Sequence, residues 1–235
     1  MKAQCPNSFF KIIFCFLALI ATLHATPIRF LPWDESIAAR KISFSNGTDS
    51  VELRDLHPHK RSEPVNWTPT EVPPVLVALD RTTADGKPVT VSLKLSAEMN
   101  SPLVLILPDA KHPSGLRCFV IEDSTSSFGW GTQRFINATG KELMVRSDKI
   151  TKTLPGTWKA IDIDPGGVAR NVGIQLAARD NLTAILYSAV WEHDANVRKL
   201  IIVVPGTDTQ SGTVDLKIIP EDRRSMPARP TKQDT

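Results

Sequence analysis

Three consecutive residues, Glu192, His193 and Asp194, form the most reactive-looking combination in the chain. A histidine between two carboxylates suits general acid–base work near neutral pH. The triplet also ends an apolar run, where a plain turn after a strand accounts for it equally well. A hydrolase built on it would need a primed nucleophile, and no Gly-x-Ser-x-Gly elbow is present. His57 and His59 form a His-x-His pair that on a strand would face one side and offer two ligands to a metal. Pro58 separates them, and Lys60 and Arg61 follow and repel a cation, so a solvated loop is the competing interpretation. Asp162 and Asp164, before Pro165-Gly166-Gly167, supply two carboxylates where calcium wants six to eight oxygens. A tight turn suits them better. No glycine-rich phosphate loop carrying a lysine occurs, and no cofactor is expected.

Aromatic side chains are the next candidates, as binding groups. Trp33, Trp67 and Trp130 fall in loops, with Phe128 beside the last of them, and loop aromatics stack on sugars or anchor protein partners. Covering the edge of a sandwich is their alternative job. Trp158 and Trp191 fall in strand-like runs and are expected in the core. Asn46, Asn66, Asn137 and Asn181 head Asn-x-Thr sequons, glycan acceptors in a eukaryotic secretory pathway and ordinary turn residues otherwise.

The elements that must position these residues read as strands. Short β-rich runs occur at 28–31, 40–44, 51–53, 75–80, 89–95, 103–107 and 116–122. A second series follows at 132–137, 142–146, 157–163, 171–178, 184–192, 198–204 and 214–219. From Val89 to Leu95 apolar and polar residues alternate, the mark of a half-buried antiparallel strand. Leu200 to Val204 is apolar throughout, which suits a central strand. Asn46-Gly47, Asp85-Gly86, Pro165-Gly166 and Pro205-Gly206 punctuate the runs. Helical periodicity is confined to one short turn after Asp34, its expected cap. The expected fold class is all-β, two tandem antiparallel β-sandwich (Ig-like) domains.

Tandem domains are suggested by an internal echo. Phe44-Ser45-Asn46-Gly47-Thr48 resembles Phe135-Ile136-Asn137-Ala138-Thr139. The stretch 73–80 resembles 155–162, 90–97 resembles 171–178, and Arg117 matches Arg198. The pleat alone makes alternating strands look alike, so chance competes with duplication. Taken as a duplication, the echo puts one sandwich at 26–123, a linker at 124–131 and a second sandwich at 132–220. Extra residues in the first half then form an inserted loop, from Asp55 to Trp67.

The two ends read differently from the body. Lys2 and Lys11 precede an almost purely apolar run from Ile12, which ends at Ala25 before Thr26-Pro27. That is a signal-peptide pattern over 1–25, and its apolar run is shorter than the roughly 20 residues of a membrane span. No integral span is expected after cleavage. Cleavage would lower the net charge from +3 to +1 and remove Cys5 and Cys15, leaving Cys118 as an inert thiol in an apolar strand. Such a charge gives no reason to bind nucleic acid. Residues 221–235, rich in proline and arginine, read as a disordered, solvated tail.

The expectation is an exported protein, secreted or periplasmic and leaning non-enzymatic. It binds or supports a protein or glycan partner at the cell envelope. The surfaces expected to do so are the crease near Phe128 and Trp130 and the inserted loop. An envelope hydrolase at Glu192, His193 and Asp194, and a metal module at His57 and His59, are the alternatives.

Overall fold

A computed structural model describes residues 25–47, 49–96, 98–206 and 213–226. The expected signal segment, apart from Ala25, lies outside the described residues. Among the described residues strands take 55% and helix 4%, so the fold is all-β.

The first half contains β1 (Thr26–Pro32), α1 (Glu35–Ala38), β2 (Ile42–Ser45), β3 (Ser50–Leu53) and β4 (Val65–Trp67), then β5 (Val75–Thr82), β6 (Pro88–Ser92), β7 (Pro102–Pro108) and β8 (Leu116–Glu122). The second contains β9 (Gln133–Asn137), β10 (Leu143–Ser147), β11 (Ile150–Leu154), β12 (Ile161–Ile163), β13 (Ala169–Ala178), β14 (Asn181–Asp194), β15 (Val197–Pro205) and β16 (Val214–Asp222). As expected, the carboxylate of Asp34 caps the single helical turn, accepting from the Ile37 amide at 2.9 Å.

Sheet order reveals the duplication. One half forms sheets β4-β1-β7-β8 and β3-β2-β5-β6, and the other forms β12-β9-β15-β16 and β11-β10-β13-β14. Adding eight to each strand number of the first pair reproduces the second pair. Two tandem sandwiches are therefore present, but the sequence echo that suggested them is one strand out of phase. It pairs β2 with β9 and β8 with β15, whereas the topology pairs β1 with β9 and β7 with β15. The genuine echo is Arg29-Phe30-Leu31 with Arg134-Phe135-Ile136. Phe30 lies opposite Val104 on β7, and Phe135 opposite Ile201 on β15. The sheets are also not wholly antiparallel, because β1 runs parallel to β7 and β9 parallel to β15.

Burial follows from that arrangement. Phe30, Val104, Ile106, Phe44 and Leu76 fill the first sandwich, and Phe135, Val145, Leu176, Ile201 and Val203 fill the second. A third cluster joins Leu31, Leu103, Leu105 and Ile121 to Phe128, Ile136, Leu200, Ile202 and Ile219. These are the opposite faces of the same strands, because successive side chains on a strand alternate. Sheets β4-β1-β7-β8 and β12-β9-β15-β16 thus pack on each other, and their central strands are buried on both faces. This explains the unbroken apolar runs of β7 and β15, which an ordinary half-exposed sheet would not tolerate.

Several sequence expectations are corrected. The strands β4 and β11 were not expected, since they are short or polar. Of the expected strand 157–163 only β12 forms, because Trp158 takes φ 64°, a left-handed conformation no strand accommodates. The solvated tail expected from 221 starts inside structure: Glu221 and Asp222 end β16, and Arg223–Ser225 form a 3-10 turn. Residues 227–235 lie outside the described residues.

Candidate functional site

The densest polar constellation is buried, at the junction of the two sandwiches. Asp123, just past β8, has a side chain only 2% exposed. Arg61, from the loop between β3 and β4, donates to both its carboxylate oxygens, Nε to Oδ2 at 2.7 Å and Nη2 to Oδ1 at 3.0 Å. Arg198 on β15 reaches the same carboxylate at 3.3 Å and donates to the Asp123 and Phe128 carbonyls at 2.7 and 3.0 Å. Glu221 on β16 accepts from Arg198 Nε at 2.6 Å and from Arg29 on β1 at 2.5 Å. Three guanidiniums and two carboxylates thus link β1, the β3–β4 loop and the end of β8 to β15 and β16. Burial acts to raise the Glu221 carboxyl, but Arg61, Arg198 and Arg29 outweigh it and hold it below the ordinary glutamate range. One donor of the cluster, Arg61 Nη1, is buried without a protein partner.

The segment 124–131 is clamped rather than left as a linker. Arg134 on β9 donates to the Glu122 and Ser127 carbonyls at 2.5 and 2.8 Å and pairs with Asp162 through two bonds. Its guanidinium lies 4.5 Å from the Phe128 ring centroid, and that of Arg198 lies 4.9 Å from it. Phe128, fully buried, therefore sits against two cations. Trp130 carries Arg198 at 5.2 Å and is half-buried.

These contacts correct the expected aromatic binding surface. Phe128 and Trp67 are buried, at 0% and 4% exposure, and have no surface to present. Trp33 is half-buried beneath Lys217, whose ammonium also donates to the Trp33 carbonyl at 2.7 Å. Trp158 packs on Phe119 of the other half at 5.0 Å, with Arg117 at 5.7 Å. None of the five tryptophans is exposed. The crease expected to bind a partner is filled by the protein's own third core.

The expected catalytic triplet is not brought together. The pleat of β14 sends His193 inward, 2% exposed, with Nε2 at 3.2 Å from the Gly167 carbonyl. Glu192 stays exposed, and its carbonyl accepts from Lys199 Nζ. Asp194 accepts from the Asn196 amide at 2.8 Å and from Arg224 at 2.8 Å, bonds that hold its carboxyl below the usual aspartate range. His57 and His59 have ring centroids 6.0 Å apart, but His57 Nδ1 already accepts from the His59 amide at 3.0 Å. No group of three or more His, Cys, Asp and Glu suited to a metal occurs among the described residues.

Sequence reasoning missed the arginines. The echo Arg29-Phe30-Leu31 with Arg134-Phe135-Ile136 was the available signal. Burial raises the Cys118 thiol to about 12, consistent with an inert sulfur. Asn137 is fully buried and donates to the Lys141 carbonyl at 2.7 Å, so it is a turn anchor and no glycan acceptor. Asn66 and Asn181 are exposed.

A site of mixed polar and apolar lining remains at the loop between β3 and β4. Residues 54–64 make this connection, whereas 155–160 suffice between β11 and β12. The loop borders a cavity of about 410 Å³ whose lining includes Glu52, Arg54, Asp55, Lys60, Glu63 and Val65. Arg61 ties it to the buried cluster from beneath.

No protein-family model matches the chain. No curated protein matches it either. Among solved structures it is similar to one described as a "putative cell adhesion protein" from Bacteroides uniformis ATCC 8492, at 10% identity and a TM-score of 0.22, over 86% of this chain and 99% of that one. No helix among the described residues is long and apolar enough to cross a membrane.

Proposed function

We propose that the chain is an exported, non-enzymatic β-sandwich protein that binds or supports a protein partner at the cell envelope, and that the loop between β3 and β4 is its contact surface. The observation that carries this reading is the extension of that loop over its counterpart in the second half, combined with its anchoring through Arg61. A long loop fixed from below presents a shaped surface at low entropic cost on binding. Its lining mixes Glu52, Asp55 and Glu63 with Arg54 and Lys60, a pattern suited to a polar protein surface. A sugar partner would want a free aromatic face, and the tryptophans are spent on packing.

Two measurements test the reading. The N-terminus of protein recovered from the producing cell is expected at Thr26, outside the cytoplasm, and an intact leader on cytoplasmic protein refutes export. A photo-crosslinking residue at His59 or Lys60 is expected to give one discrete adduct with an envelope protein, while the same residue at Asp85 gives none. Equal labelling from both places removes the loop as the contact surface.

A further inference from the structure

Arg61 uses only part of its guanidinium. Its Nε and Nη2 both donate to Asp123, so Nη1 takes the corner of the plane that points away from that carboxylate. Nη1 is buried and meets no acceptor among the described residues. A charged donor left unmade inside a protein is costly, so the group calls for a partner. The charges around it make the same demand. Arg29, Arg61 and Arg198 face only Asp123 and Glu221, three positive groups against two negative. One positive charge is left over.

The cavity at the loop between β3 and β4 adjoins that group. Arg61 lines it, and Asp123, Arg198 and Glu221 do not. The cavity therefore lies on the side of Arg61 away from the cluster, the side to which Nη1 turns. Lys60 adds a second positive charge to the wall, and Leu53, Leu56, Pro64 and Val65 add apolar surface. Leu56 and Val65 pack against the first core, and Ser62 bonds to both backbone polar groups of Phe30 on β1 at 2.9 Å. The wall is thus held in place before any ligand arrives. Three carboxylates also line the cavity, those of Glu52, Asp55 and Glu63, yet none of them takes Nη1. Glu52 is already bonded to Arg54 at 2.9 Å.

We infer that this cavity binds a monocarboxylate with a short aliphatic tail, its carboxylate on Arg61 Nη1 and Lys60 and its tail on Leu56 and Val65. One negative charge matches the one positive charge left over, and a guanidinium–carboxylate bond is of the strong, charge-assisted kind. A dianion such as phosphate meets more repulsion from Glu52, Asp55 and Glu63. A volume of about 410 Å³ falls within the range of small-molecule sites. Lys60 and Glu63 are exposed, and exposed side chains change rotamer within nanoseconds, so they do not bar entry. The carboxylate belongs either to a free acid or to a side chain of a bound protein. In the first case the site goes beyond the loop's role as a contact surface. In the second it rests on that role and names what the partner inserts.

Titration of the isotope-labelled chain at fixed pH and ionic strength, followed by its arginine side-chain NMR signals, tests the assignment. Isovalerate is expected to shift the Arg61 signal saturably, and the uncharged isostere isovaleramide to leave it in place. Glutamate capped at both ends separates the two sources. Tighter binding than isovalerate assigns the site to a partner's side chain, and weaker binding assigns it to a free acid. K60E adds a carboxylate to the cavity, leaves the buried cluster intact and is expected to weaken isovalerate about tenfold. Absence of a saturable Arg61 shift with both acids, an equal response to isovaleramide, or undiminished binding in K60E overturns the assignment. Such a failure leaves crosslinking from His59 unaffected, so the site and the contact surface fail separately.

Discussion

The strands β6 and β14 close the outer sheets of the two sandwiches at equivalent places, yet they differ in almost every respect. One has five residues, begins with proline and turns Thr90 and Ser92 outward. The other has 14 residues and turns out Ser188 and Val190. At the centre of the molecule the halves agree closely. Phe30-Leu31 and Phe135-Ile136 divide their side chains in the same way between a sandwich interior and the shared core. The contrast teaches that duplication is preserved where a strand is buried on both faces and lost where only one face is constrained. A strand with two buried faces tolerates few substitutions, because each side chain meets dense packing.

Three measurements break or sharpen this comparison. The largest effect is expected at the junction, where Asp123→Ala leaves Arg61 and Arg198 buried with their main counter-charge gone. Denaturant unfolding is expected to show a loss of about 3–5 kcal/mol. A loss within experimental scatter would mean that the cluster does not join the halves. A smaller effect is expected from Ile106→Val inside the first sandwich and Ile202→Val in the shared core, each about 0.5–1.5 kcal/mol. Similar values make the contact between sandwiches as close-packed as their interiors. A negligible cost for Ile202→Val alone would mark the halves as loosely docked.

The smallest effect concerns acid. Glu221 is held below its ordinary range, so the unfolded chain takes up its proton first as pH falls. The stability it lends is present above the unfolded value, about 4.3, and declines as pH falls below that towards its folded value. Melting temperature is expected to fall over that window, and less so in Glu221→Gln, which has no proton to gain there. Parallel declines in both proteins would assign the acid sensitivity to other carboxylates.

Much of the body was legible in the chain. The apolar run at Leu200 and the cap at Asp34 follow from local pattern and appear where expected, while the alternation expected from Val89 to Leu95 forms a strand only as far as Ser92. The candidate sites were poorly legible. His193 next to two acids looks reactive in one dimension, but the pleat separates neighbours to opposite faces. Phe128 and Trp130 looked available because they lie in a segment of glycine and serine. Two arginines, one at the start of the second sandwich and one far along its chain, close over them.

Composition and periodicity alone determined that this chain is all-β and that its strands fall in two series. These are local properties, set by which side chains alternate and which runs are apolar. Only the tertiary structure decided where the repeat truly begins, that the two sandwiches share a third core, and that five charged residues from distant strands meet there. Those outcomes depend on which faces come together. A strand's sequence shows that two faces are apolar but not which sheet covers each.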